Sequence, residues 1–299
     1  MNRLSIYIWF CRPHTIIATS LQVSSLFILA HVSKTTTIGG LWIWFLALLA
    51  SLAANIYIVG LNQLTDVEID RINKPSLPLA SGELSIRQGG WIVIMVALAS
   101  ATITATQSLI LLITVLLSMM IGSLYSLPPL HLKSRSLWAA LSIAFVRGFV
   151  ANLGLLLHFY QELSPASAIP WSLAAGLTVF FFGFGLVIAL YKDIPDLIGD
   201  KEYDIRTYTV RLGSERVFNA GRWILTAIYI IPVLAAITLL PDLSGVVLLA
   251  AHLVIVGLFW RRSLSVDLAK PKEVTRFYMF LWSLFYVEYI LLALAALSG

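Results

Sequence analysis

A chain of 299 residues that is 59% apolar and only 12% charged, with a mean hydropathy of +0.90, is not a soluble domain, whose surface must be largely polar. The formal charge of +5 is scattered over short loops, which argues against a nucleic-acid partner. The single cysteine, Cys11, excludes a disulfide framework and any cysteine-based metal site.

In chain order, residues 1–12 carry Arg3 and Arg12, and the apolar stretch behind them lacks a small-residue cleavage signature. The first apolar helix is therefore expected to be retained. Nine apolar spans follow, at about 14–30, 41–62, 90–106, 108–125, 137–159, 171–191, 221–240, 243–260 and 276–297. Each has the length a helix needs to cross a bilayer, and the runs are continuous and not alternating, which selects helices over a barrel. Only Thr106-Gln107-Ser108 separates the third span from the fourth, so those two form a tight antiparallel hairpin. If the nine helices alternate, eighteen of the twenty lysines and arginines fall on one side. Of the others, Lys34 lies on the far side and Arg147 inside the fifth span. The positive-inside rule then makes the amino terminus cytoplasmic and puts the carboxyl terminus on the opposite side. The expected fold is an all-α integral membrane protein. Its nine transmembrane helices surround a central lipid-open cavity, with short cap helices in the cytoplasmic loops and a single domain over residues 1–299.

Two acidic clusters interrupt this apolar chain. The first is Asn62-x-x-x-Asp66-x-x-x-Asp70, within NQLTDVEIDRINKP; the second is Lys192-Asp193-x-x-Asp196-x-x-x-Asp200, within YKDIPDLIGD. Each begins where a span leaves the hydrocarbon, on the predicted cytoplasmic side. Aligning Asp66 with Asp196 pairs Asn62 with Lys192 and Arg71 with Lys201, a weak internal repeat that reads as two half-sites facing each other. Spacings of four keep each set on one helical face.

Carboxylates at a membrane surface are costly unless paired, hydrated or bound to a cation. Five aspartates call for hard divalent ions, and two Mg²⁺ bridged by a diphosphate satisfy them. Arg71, Lys74, Lys192 and Lys201 suit the same ligand by charge-assisted hydrogen bonds. A diphosphate site at a membrane mouth suits a ligand with a charged head and a long lipid tail, such as an allylic prenyl diphosphate. Its allylic C1–O bond ionises as the metals stabilise the departing diphosphate, and an electron-rich aromatic acceptor captures C1 away from water.

With these motifs the chain resembles the UbiA superfamily of membrane-embedded aromatic prenyltransferases, from Arg12-Pro13-His14-Thr15 to the ninth span. The stretches NQLTDVEIDRINKPSLPLASGELS, LYKDIPDLIGDKEYDIRTYTVRLG and AFVRGFVANLGLLLHF are similar to its homogentisate prenyltransferases of tocopherol and plastoquinone synthesis. The resemblance implies Mg²⁺-dependent transfer of a prenyl group to homogentisate with loss of CO₂, the phytyl diphosphate branch looking nearest. It also implies that Asn62, Asp66 and Asp70, and Asp193, Asp196 and Asp200 beside Lys192, bind the metal and diphosphate.

Arg147, the one strongly basic residue deep in a span, reads as an anion partner for the diphosphate or the acceptor carboxylate, or as a charge paired within the bundle. Arg12 is an interfacial anchor or a second contact to that carboxylate, and His14 orients the acceptor or takes its proton. Tyr125 and Tyr191 end their spans on the motif side, within reach of the cavity. Two alternatives stand beside this reading. One is a superfamily member with another acceptor, such as a chlorophyll synthase. The other is an ion-coupled transporter, which calls for acids near the bilayer midplane.

Overall fold

Hydropathy and helix length determine the architecture. The computed structural model describes residues 2–31, 38–239 and 243–298, and these contain helices and no strand, the one bridge being an isolated parallel contact between Arg135 and Arg206. Among the described residues, nine helices are long and apolar enough to cross a membrane. We label them α1 (Pro13–His31), α2 (Ile38–Thr65), α3 (Ile86–Ala105), α4 (Leu109–Ser126), α5 (Ser136–Leu163), α6 (Trp171–Lys192), α7 (Ser214–Thr238), α8 (Gly245–Leu264) and α9 (Pro271–Ser298). Lys34, the cation expected on the far side, lies outside the described residues.

Several ends follow directly from local chemistry. Ser85 opens α3 through a capping box with Gln88, each side chain satisfying the other's backbone N–H. The α3–α4 hairpin closes in Thr106–Ser108 as expected, and Ser108 Oγ caps α4 by accepting from Leu111 N at 3.1 Å. Helix α7 starts at Ser214, about two turns before the apolar span at 221–240. Its first turns carry Glu215, Arg216 and Arg222, and a helix continues through the polar layer although its hydropathy does not. At 28 residues α2 is about 42 Å long against a hydrocarbon core of about 30 Å, so its last turn projects into the aqueous layer.

Two apolar cores make up the interior. One joins α6, α7, α8 and α9 through Phe181, Phe184, Phe218, Phe259, Phe285 and Tyr289. The other joins α1, α2, α4 and α5 through Leu26, Ala47, Leu111, Leu156 and Phe159. The first acidic motif ends a helix of the second core, and the second motif ends a helix of the first. The two motif-bearing helices thus belong to different cores. Exposed Trp9, Trp91, Trp138 and Trp171 lie at helix ends, where an aromatic belt is expected.

Candidate active site

Both acidic motifs sit where a span stops and a short helix begins. Helix α2 ends at Thr65, and Asp66 precedes the Val67–Asn73 helix, whose first turn holds Asp70. Helix α6 ends at Lys192, and Asp196 likewise precedes the Leu197–Glu202 helix, with Asp200 in its first turn. The backbone repeats too: Asp70 N donates to Asp66 O at 2.7 Å and Asp200 N to Asp196 O at 3.0 Å. The continuous helical stripe expected from the spacing is therefore broken at the first aspartate of each motif. Aspartate favours the half-helical position ahead of a helix, and the break sets each membrane-length helix apart from the short helix that follows it.

The two short helices pack against each other, clasped by a hydrogen bond from Gly199 N to Asn73 Oδ1 at 2.9 Å. Lys74 forms an ion pair with Asp196 and lies 4.0 Å from Asp70, so one ammonium spans both motifs. Lys133, from the α4–α5 loop, pairs with Asp66 and donates to Thr65 Oγ1 at 3.2 Å. Asn62 Nδ2 donates to Asp66 Oδ2 at 2.8 Å, and Lys192 Nζ to Asp193 Oδ1 at 2.7 Å. Tyr125 reaches the same place, its ring 5.8 Å beneath the Lys192 ammonium.

Asp70, Asp193, Asp196 and Asp200 are all buried. Burial raises the Asp70 carboxyl above its ordinary range against the pull of Lys74 and Arg12, and raises Asp193 against Lys192. Asp200 is pushed up to about 7, first by burial and then by the charges of Asp193 and Asp196. Asp70 Oδ2 is buried with no hydrogen-bond partner. With Lys74 on Asp196 and Lys133 on Asp66, no three His, Cys, Asp or Glu side chains among the described residues are gathered closely enough to hold an ion by themselves.

A second group of cations lies against the first. Arg12 takes a left-handed backbone (φ 51°) in the turn into α1, a conformation that costs about 1–3 kcal/mol and recurs at functional sites. Its Nε is buried without a partner. The charges of Arg12, Arg147 and Lys74 all reach His14. The His14 ring meets Trp282 edge-on at 5.0 Å, and its carbonyl accepts from Tyr286 OH at 2.8 Å. The Arg147 guanidinium lies 4.7 Å over the Trp282 ring and makes no ion pair among the described residues. Trp282 Nε1 is buried and unpartnered. Unsatisfied donors around aromatic faces are what an anionic aromatic ligand would meet.

The structure corrects three expectations. Arg71 turns away from the acidic cluster and pairs at 2.7 Å with Glu68, both side chains more than half exposed, because the break at Asp66 rotates the following helix. Lys201 is exposed on its short helix and does not join the cluster. Tyr191 faces the core, stacked on Phe218 at 4.9 Å with its hydroxyl donating to Phe218 O at 2.6 Å. Conversely, Lys133, Trp282, Gln22 and Asn152 join these clusters although neither acidic motif includes them. For the last two the signal was present, since an amide inside an apolar span is costly without partners.

Comparison with known proteins points the same way. Residues 23–284 match the UbiA prenyltransferase family. The homogentisate phytyltransferase of Synechocystis sp. is 43% identical over 96% of this chain and 94% of its own length. The homogentisate geranylgeranyltransferase of Triticum aestivum is 36% identical over 97% of this chain and 72% of its own length. Among solved structures, a UbiA homolog from Archaeoglobus fulgidus bound to GPP and Mg²⁺ superposes with a TM-score of 0.67 at 18% identity, covering 98% of this chain and 100% of that one.

Proposed function

The chain belongs to the UbiA prenyltransferase family, and from that premise we propose that it transfers a phytyl group from its diphosphate to homogentisate, with loss of the homogentisate carboxylate as CO₂. The enzyme is an aromatic prenyltransferase. The homogentisate acceptor and phytyl tail are carried over from the Synechocystis relative's name, and the wheat relative's name makes geranylgeranyl the competing tail. The observation that carries the donor site is Lys74, whose ammonium bridges Asp70 of one motif and Asp196 of the other.

The residues fit Mg²⁺. All the candidate ligand atoms are hard oxygens, one carboxylate oxygen of Asp70 is buried without a partner, and the charges of Asp193 and Asp196 both reach Asp200. Asn62, Asp66 and Asp70 would hold one ion, and Asp193, Asp196 and Asp200 a second. When bound, the metal supplies neutralising charge to the diphosphate as it departs. Lys74, Lys133 and Lys192 are placed to donate to phosphate oxygens once ions relieve them of the aspartates. Arg147 and Arg12 hold the acceptor carboxylate, and Trp282 and His14 flank its ring, fixing the nucleophilic carbon near C1 of the donor. Apolar walls keep water from the cationic centre.

Turnover of labelled homogentisate with phytyl, geranylgeranyl and solanesyl diphosphates, with Mg²⁺ and in detergent, tests this reading. Product without any ion gradient is expected, phytyl being preferred. Asp66→Ala and Asp196→Ala should each abolish product without unfolding the protein, Asp66→Ala with a lower thermal midpoint because it strands the buried Lys133 ammonium, and near-normal turnover in either removes that aspartate from the mechanism. The mouth and amino terminus are proposed to be cytoplasmic and the carboxyl terminus on the opposite side. Thiol labelling of cysteines placed at the two ends, in sealed vesicles, would overturn this by reacting on the same side.

A further inference from the structure

Helix α5 is irregular at the residue that matters most for the acceptor. Between Phe145 and Val150 it winds as a π-helix, and Ala151 N donates to Val146 O, five residues back. Such a segment carries one extra residue in the turn and is less stable than an α-turn, so it persists only where the surroundings compensate. It frees a backbone carbonyl at hydrocarbon depth, where an unsatisfied carbonyl is costly.

That carbonyl belongs to Arg147. Asn152 Nδ2 donates to Arg147 O at 2.9 Å and to Gly148 O at 3.2 Å, and Gln22 Nε2 adds a bond to Arg147 O at 3.3 Å. On its other side Asn152 Oδ1 accepts from Gln22 Nε2 at 3.1 Å and from Tyr289 OH at 2.8 Å. Asn152 is 2% exposed and makes all four hydrogen bonds an amide offers, so its orientation is fixed by its partners. Helices α1, α5 and α9 thus each send a polar group to one point. On the outer face of the same turn, Phe145 and Phe149 stack at 5.0 Å and are exposed. The insertion therefore turns aromatic bulk outward and Arg147 inward, over Trp282. One extra residue is worth about 100° of helix rotation, enough to decide whether a guanidinium faces the bundle or the lipid.

We propose that Asn152, supported by Gln22 and Tyr289, is a positioning residue that holds the widened turn of α5 and so aims Arg147 at the acceptor carboxylate. The proposal rests on the acceptor role given to Arg147 above. It has one test that needs no substrate and one that does.

In a Cys11→Ser background, Arg147→Cys is labelled with a charged thiol reagent in the detergent-solubilised full chain, with and without Asn152→Leu. Asn152→Leu should slow labelling about tenfold or more by turning the thiol out of the aqueous mouth; an unchanged rate overturns the clamp. With Arg147 intact, Asn152→Leu should raise the KM for homogentisate about tenfold and leave the KM for the prenyl diphosphate within about twofold. In an Arg147→Ala background it should add nothing further, because there is no guanidinium left to aim. Equal rises in both KM values, or full additivity with Arg147→Ala, overturn the positioning role. Should Arg147→Ala alone leave the homogentisate KM unchanged, the acceptor reading falls while the labelling rate still judges the clamp. If Asn152→Leu does not fold, Tyr289→Phe, which keeps its ring against Phe181 and loses only the hydroxyl, should move both readouts the same way by about two- to threefold. No movement in either with Tyr289→Phe then overturns the proposal.

Discussion

Tyr125 and Tyr191 end their spans on the same side, yet only Tyr125 reaches the acidic cluster, and Arg71 and Lys74 diverge although three residues apart. Such outcomes are decided by which way a side chain leaves a broken helix. Arg71→Ala should leave both KM values within about twofold of the parent, because an exposed ion pair contributes about 0–1 kcal/mol and touches nothing in the site. Tyr191→Phe should leave donor binding unchanged but cost about 0.5–1.5 kcal/mol of stability through the lost hydrogen bond to the Phe218 carbonyl, read as a lower thermal midpoint in detergent. The carboxylates were legible in the sequence because an acid at the end of an apolar span demands an explanation. The partners were not. Lys133 looks like one more positive-inside charge until the α4–α5 loop folds back and sets it on Asp66.

At the level of elements, the spans were legible because hydropathy and length are one-dimensional properties. The break at Asp66 and the π-turn in α5 were not, since both alter rotation about a helix axis without altering composition. Close helix crossings are equally hidden. At Gly148 a Cβ would lie 2.2 Å from the backbone N and Cα of Phe182, so α5 and α6 touch backbone to backbone beside the widened turn. Gly148→Ala should force these helices apart and destabilise the protein by about 3 kcal/mol or more, visible as loss of monodisperse protein at moderate temperature. Gly90→Ala in α3, where an added methyl meets nothing within 4 Å, should be neutral or stabilising by up to about 1 kcal/mol.

Across the whole molecule, two apolar cores are joined at the motif-bearing end by the clasp of the short helices. A buried polar tie binds the α7–α8–α9 half internally. Glu288 accepts from Tyr229 OH at 2.8 Å and lies 3.2 Å from His252 Nε2, all three buried. Glu288→Ala strands both partners and should cost about 1–3 kcal/mol of stability with the KM values unaltered, whereas Glu288→Gln keeps the hydrogen bonds and should cost less. Differential scanning of the two variants beside their kinetics separates these outcomes. A carboxylic acid in an apolar span cannot face lipid, so an internal bond for Glu288 is legible in the sequence, but its partners are not. The lysines on Asp66 and Asp196 carry a last consequence. Bare acids in a cleft would drive its walls apart, but here tethered ammonium groups sit in them as placeholders. Stripping the protein with EDTA should therefore silence it without melting it. Returning Mg²⁺ should revive most of the turnover within the mixing time, and a preparation that aggregates on stripping would show that the ammonium groups are poor substitutes.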